Sequence, residues 1–362
     1  MREIYNFSAG PSMLPKDVMK IAKNEFLNWK NSGVSVLEIS HRSTIFMKMT
    51  EIIEKNIRKL LSISNDYKIL FLHGGARGQF SAIPMNLLKN FYEETDYINT
   101  GYWSSHAAYE ARKYSKTNII DVIRMKNKKK CVLDMSDWMI SDRSKYIHYC
   151  PNETIEGISI YEEPKFYGRT IVGDFSSTIL SRRIKINNYS IIYASSQKNI
   201  GPSGITILII KKELLCKSNK HTPSILDYSI NYKNKSMFNT PSTFSWYMSG
   251  LVFDWIIKNG GIKQMEKNNF IKSKLLYNVI DNSNLYINNI HTNNRSNTNI
   301  TFLLTQKSLN KKFLEESKKN GLLYLKGHSI YGGMRASIYN AMPIDGVKKL
   351  AKFMIKFEKR FS

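Results

Sequence analysis

Between residues 69 and 210, short apolar runs alternate with amphipathic segments, and that alternation restricts the fold more than any other feature of the chain. The runs at 69–72, 97–99, 146–149, 170–174, 191–194 and 206–210 are too short for buried helices and predict strands. Amphipathic stretches at 15–31, 45–61, 78–87, 105–114 and 245–259 predict helices. Strands separated by helices are βαβ units, which build a mostly parallel sheet with both faces covered. The expected fold class is therefore α/β. Near Gly260 and Gly261 the pattern changes. A helix over about 263–280 leads into a β-rich stretch, a helix near 310–320 and a final helix from Pro343. A chain of 362 residues thus divides into a large domain over 16–261 and a smaller C-terminal α/β domain over 262–362, with residues 1–15 folded back onto the smaller one.

Composition narrows the function classes. No apolar run approaches the roughly 20 residues of a membrane span, and MREIYNFSAG has no hydrophobic stretch after Arg2 and Glu3, so neither a membrane partner nor a secretory signal is expected. Cys131, Cys150 and Cys216 are odd in number and widely spaced. They fit neither a disulfide framework nor a zinc pattern, which points to free thiols in a reducing cytoplasm and to no metal site. Fifty-four basic against 29 acidic residues give a net charge of +25, which by itself suggests a polyanion partner. The lysines are scattered, however, and only Lys126 with residues 128–130 forms a dense cluster, without interleaved aromatics. The excess reads as solvated surface that attracts phosphorylated small molecules, and no nucleic-acid partner is expected.

Three segments carry candidate chemistry. In IIYASSQKNIGPSGIT an apolar strand ends at Ala194, and Lys198 follows in a Gly/Pro-rich turn. Strand carboxyl ends open onto the ligand crevice of such sheets, and a lysine desolvated there becomes an amine nucleophile fit for Schiff-base chemistry. Taken alone, an exposed loop lysine is the plainer reading. RTIVGDFSST ends another strand at Asp174, where a carboxylate can pair with a pyridinium nitrogen, or simply cap a turn. In FLHGGARGQF a strand runs through Gly74, Gly75, Ala76, Arg77 and Gly78 into a helix, whose first N–H groups can cradle a phosphate. A tight strand–helix turn would use the same glycines. Trp103, in GYW, can stack on a planar ring or lie half-buried in the core.

Read together, NFSAGPSMLP, SHRS, HGGARGQF, TGYW, HYCPNETIEG, DFSSTILSR, QKNIGPSG, PSILDYS, MFNTPSTFSWY and GGMRASIYNAM are similar, nearly end to end, to the phosphoserine aminotransferase family of fold-type-I pyridoxal-phosphate enzymes. The resemblance implies a homodimer with shared active sites and one pyridoxal 5'-phosphate per subunit. It implies that Lys198 holds the cofactor as a Schiff base, that Asp174 meets the pyridinium nitrogen and that Trp103 stacks on the ring. Ala76, Arg77 and Gln197 would hold the phosphate and Thr154 the ring, with Asn239 and Thr240 reaching the phosphate from the partner subunit. On the substrate side it implies His41, Arg42, His328 and Arg335, with Arg335 on the α-carboxylate. The implied reaction is ping-pong transamination between L-glutamate and 3-phosphohydroxypyruvate, giving O-phospho-L-serine in serine biosynthesis, with a related step of pyridoxine synthesis as a second outlet. The sequence departs from the family pattern at Ser329, usually arginine, at Ala9, usually serine, and at Ala76, usually glycine. A sister fold-type-I aminotransferase of the serine–glyoxylate type and a polyanion-binding protein on the same fold are the alternatives.

Overall fold

The computed structural model describes residues 3–361; Arg2 lies outside them. A seven-stranded sheet forms its centre, in the spatial order Tyr67–Leu72, Thr206–Lys211, Ile191–Ser195, Ile171–Asp174, Ile147–Tyr149, Glu94–Asn99, Lys116–Asp121. All neighbours are parallel except for the strand Thr206–Lys211, which runs opposite to both of its partners. Six of these strands coincide with the apolar runs. The seventh, Lys116–Asp121, was not anticipated: it sits at the sheet edge, its residues are largely exposed or half-exposed, and KTNIID therefore carries little apolar signal.

Period-two alternation along the strands feeds two cores. Ile69 and Phe71 pack on one face with Phe46, Ile53 and Ile57 of the helix Thr44–Leu61 and with Trp246 and Phe253 of the helix Thr243–Lys258. Leu70 and Leu72 face the other way, toward Phe80 of the helix Gly75–Leu87 and Ala107 of the helix Tyr102–Ala111. Two helix bounds differ instructively from the sequence reading. The helix expected over 15–31 stops at Glu25, and Lys30 and Asn31 turn left-handed at φ 50° and 57°. The helix expected from 105 starts at Tyr102, because the Ser104 hydroxyl accepts the Gly101 N–H at 3.0 Å and closes a cap there.

The C-terminal part has its own core. The strands Tyr286–Ile287, Asn299–Leu304 and Met334–Ser337 form an antiparallel sheet. Val347, Leu350, Met354 and Phe357 make one apolar stripe of the helix Ile344–Phe361 against it. Tyr5 and Phe7 join this core, and Tyr5–Asn6 pairs in parallel with Leu322–Leu323. Buried Lys272, on the helix Gly261–Asp281, donates to the carbonyls of Ile338, Tyr339 and Met342 at 3.1, 2.8 and 3.0 Å. Taking an ammonium out of water costs several kcal/mol; three carbonyl acceptors offset this and pin the backbone just beyond the strand Met334–Ser337.

Candidate active site

Five of the parallel strands and the turns after them bring their carboxyl ends to one edge of the sheet, and the polar residues collect there. After Ile191–Ser195 the chain turns so that Lys198 Nζ donates to Thr154 Oγ1 at 2.6 Å. The turn is held from outside: Ser12 Oγ donates to the Lys198 carbonyl at 2.6 Å and Ser12 N to the Gln197 carbonyl at 3.0 Å. The Lys198 side chain keeps some contact with solvent, yet protein crowds its amine. Desolvation pulls its pKa down to about 8, nearby Arg335 adds to the fall, and Asp174 opposes it. A sizeable fraction of free amine is therefore present near neutral pH.

Asp174, on the neighbouring strand, is 6% exposed. Its Oδ1 accepts Ser176 N–H at 2.9 Å and Ser176 Oγ at 2.5 Å. Burial pushes its carboxyl pKa up, and the Ser176 donors hold it back. Thr154 joins the amine to the substrate side, because its carbonyl accepts from Arg335 Nη1 at 3.4 Å while its hydroxyl accepts from Lys198. Arg335 projects from the strand Met334–Ser337, half-buried. Lys198, Asp174, Thr154 and Arg335 thus form one cluster although they come from four separate segments.

The phosphate-loop glycines stand where a sharp turn needs them, Gly74 at φ 88° and Gly75 at φ 63°. Ala76 already lies in the first turn of the helix Gly75–Leu87, so its methyl group is tolerated, and its N–H points to Ser195 Oγ at 2.6 Å. The Arg77 guanidinium lies 5.4 Å from the centre of the Trp103 ring. Trp103 Nε1 is buried without a partner. Glu153 fixes the backbone that carries this ring, accepting Trp103 N–H at 3.0 Å and Ser104 N–H at 2.9 Å, while Glu156 accepts Tyr102 N–H at 2.9 Å. Two carboxyl groups at one helix N-terminus supply acceptors for its unpaired N–H groups.

Burial, with Glu156 alongside, raises the Glu153 pKa to about 7. The folded chain then holds a proton between roughly pH 4.5 and 7 that the unfolded chain has released. The stability from this group is complete below about pH 4.5 and is lost as pH rises through 7. Glu153→Gln is expected to flatten the fall in Tm between pH 5 and 8; a variant with the wild-type slope would show that Glu153 does not titrate there.

Gln197 is half-buried beside Lys198, and a Cβ on Gly10 would lie 3.0 Å from its side chain. The His328 ring lies 5.2 Å from that of Tyr102, in the loop that also carries exposed Ser329. His41 and Arg42 precede the helix Thr44–Leu61, and Asn239 and Thr240 are exposed before the helix Thr243–Lys258. The structure shows no hydrogen bond from these four to the Lys198 cluster. Sequence reasoning passed over Ser176, Ser195, Glu153, His148 and Tyr193. For Ser176 and Ser195 a polar residue at or just after the end of an apolar run was the available signal.

Comparison with known proteins agrees with this geometry. The family model for class-V aminotransferases matches residues 4–350. The phosphoserine aminotransferase of Buchnera aphidicola from Schizaphis graminum is 60% identical over 361 residues, and that of Wigglesworthia glossinidia 59%, each alignment spanning 100% of both chains. A phosphoserine aminotransferase structure from Bacillus circulans superposes with a TM-score of 0.95 at 37% identity, covering 99% of each chain. A pyridoxal-phosphate-bound one from Trichomonas vaginalis gives 0.91 at 35%, covering 98% of this chain and 100% of that one. This chain belongs to the class-V aminotransferase family.

Proposed function

We propose that the chain catalyses reversible transamination between L-glutamate and 3-phosphohydroxypyruvate, giving O-phospho-L-serine and 2-oxoglutarate. The observation that carries this reading is the cluster of a lysine with a lowered pKa, a buried carboxylate and a half-buried arginine, placed beside a glycine-turned helix N-terminus.

The donor set fits pyridoxal phosphate. Lys198 would hold it covalently, Asp174 would face its ring nitrogen, and Thr154 would hydrogen-bond the ring. Trp103 would cover the ring, and the helix start with Arg77, Gln197 and Ser195 would receive the phosphate. When bound, the cofactor supplies an electrophilic carbon and a ring that accepts an electron pair. Arg335 binds and orients the α-carboxylate of either substrate as a bidentate partner. Lys198 Nζ, freed by the incoming amine, would take the proton from the substrate Cα and pass it to the electrophilic carbon that the cofactor supplies. The buried carboxylate of Asp174 keeps a counter-charge in place without water.

We further propose a homodimer with shared sites. The surface placement of Arg42, Asn239 and Thr240, with His41 half-buried beside Arg42, supports it, since a second copy can bring those residues to the cofactor phosphate and to the distal acidic group of the substrate. Their basic character, with that of His328, suits both a carboxylate and a phosphate. The same pocket then accepts 3-hydroxy-2-oxo-4-phosphooxybutanoate, the phosphorylated oxo acid of the pyridoxine branch. Free Cys131, Cys150 and Cys216 fit work in the cytoplasm. We propose the division at Gly261 as the domain boundary, which the separate C-terminal core supports.

The test is an absorbance spectrum of the protein loaded with pyridoxal phosphate. Glutamate should bleach the visible band, and 3-phosphohydroxypyruvate, far better than plain hydroxypyruvate, should restore it. A band that ignores glutamate would overturn the substrate assignment. Exposed Ser329 gives a second expectation. One charge-assisted hydrogen bond is worth about 1.5–3 kcal/mol, so Ser329→Arg should lower KM for the phosphorylated substrate roughly tenfold, with KM for glutamate less affected. An unchanged KM would place residue 329 outside the distal site.

A further inference from the structure

Behind Asp174, strand register builds a polar row inside an otherwise apolar sheet face. Asp174 pairs with Tyr193, Val172 with His148, and Tyr97 with His148. Directly paired residues share a face, as do residues two apart on one strand. Asp174, Tyr193, His148 and Tyr97 therefore all point to the side covered by the helices Gly75–Leu87 and Tyr102–Ala111. All four are within 6% of full burial. His148 Nε2 lies 2.9 Å from the Tyr193 hydroxyl, and Tyr193 is in turn the direct strand partner of Asp174, close enough to lower that carboxyl's pKa. Tyr97 stacks on the imidazole, centroids 4.6 Å apart and planes 23° apart, and its own hydroxyl meets that of Tyr146 at 2.8 Å.

One atom sets the direction of this chain. His148 Nδ1 is buried with no hydrogen-bond partner. Desolvation pulls the imidazole pKa down to about 3, so the ring is neutral and carries a single N–H. Leaving a bare lone pair unpaired is the cheaper choice, because an unmatched buried N–H loses a strong donor. The hydrogen therefore sits on Nε2 and is given to the Tyr193 oxygen. The tyrosine hydrogen is then free for Asp174. Each bond polarises the next in a site without water.

We propose that His148 and Tyr193 are positioning residues for the cofactor: the directed chain from His148 through Tyr193 to Asp174 holds the carboxylate ionised and aligned on the ring nitrogen, with the Ser176 donors occupying its other lone pairs. This rests on the pyridoxal-phosphate reading above. Tyr97 and Tyr146 close the far end of the row.

Tyr193→Phe removes one hydroxyl from a packed position. Asp174, short of a donor, then draws the ring-nitrogen proton toward itself and weakens the ring as an electron acceptor. The pH at which the visible absorbance of the loaded protein titrates should rise by about half a unit to one unit, and the glutamate half-reaction should slow about tenfold at unchanged KM. His148→Phe should give the same changes at smaller size. His148→Gln, which can keep an N–H near Nε2, should restore part of both. A merely structural role would lower Tm while leaving the absorbance titration in place. An unshifted titration in Tyr193→Phe, or identical titrations in the two His148 variants, overturns the proposal. Absence of a visible band in the loaded wild-type protein would instead overturn the cofactor reading on which it rests.

Discussion

Replacing Lys198 by alanine should abolish turnover, with a loss of at least about 10⁴-fold, because one side chain serves as covalent anchor and as proton carrier. Neither polar neighbour of the amine can take over its chemistry. Thr154 Oγ1, 2.6 Å from Nζ, is a hydroxyl and not a base at neutral pH. Arg335, nearby in the same cluster, stays protonated. The anchoring role has a readout of its own. After borohydride reduction and digestion, the native protein should carry the cofactor mass on the peptide containing Lys198, and Lys198→Ala should carry none there. A variant with activity within tenfold of the native protein would remove Lys198 from the mechanism.

Arg335→Ala should lower kcat/KM by roughly 10²-fold or more for glutamate and for 3-phosphohydroxypyruvate alike, since a bidentate pair to a carboxylate shared by both substrates is lost. Arg335→Lys should recover only part, because an ammonium cannot reproduce the planar fork. The same variant tests the electrostatics. Arg335 is one of the charges that depress the Lys198 pKa, so removing it lets that pKa rise and leaves less free amine at neutral pH. The pH dependence of cofactor attachment to the cofactor-free protein, followed by the visible band, should therefore move to higher pH in Arg335→Ala. A loss confined to one substrate would show that the arginine reads the distal group and not the α-carboxylate.

Legibility in the sequence followed physical locality. Lys198 and Asp174 sit just beyond or at the end of apolar runs, so periodicity placed both at strand ends, while only the resemblance lifted Lys198 above an ordinary loop lysine. The strand Lys116–Asp121 escaped because an edge strand need not be apolar, and the start of the helix at Tyr102 escaped because a Ser104 hydroxyl decides it. Glu153 was invisible for a different reason. It acts about 50 residues away, on the N-terminus of the helix bearing Trp103, and only the packing of the strand Asn152–Glu153 beside that helix creates the contact. The row of His148, Tyr193 and Asp174 depends on register among three parallel strands, which no local pattern encodes. His41, Arg42, Asn239 and Thr240 were named by resemblance alone, and no hydrogen bond ties them to the Lys198 cluster.

The hold of Ser12 on the lysine turn, and of Tyr339 Oη on the Ala9 carbonyl at 3.0 Å, has a consequence for how the protein is made. Residues 5–12 leave the ribosome long before Leu322, Leu323 and Tyr339, the partners that fix them. The central sheet can assemble during synthesis, but the wall of the cleft in front of Lys198 closes only once nearly the whole chain is out. Nascent chains stalled before residue 322 would hold a formed sheet and an unlocked lysine turn, so competence to bind the cofactor is acquired last.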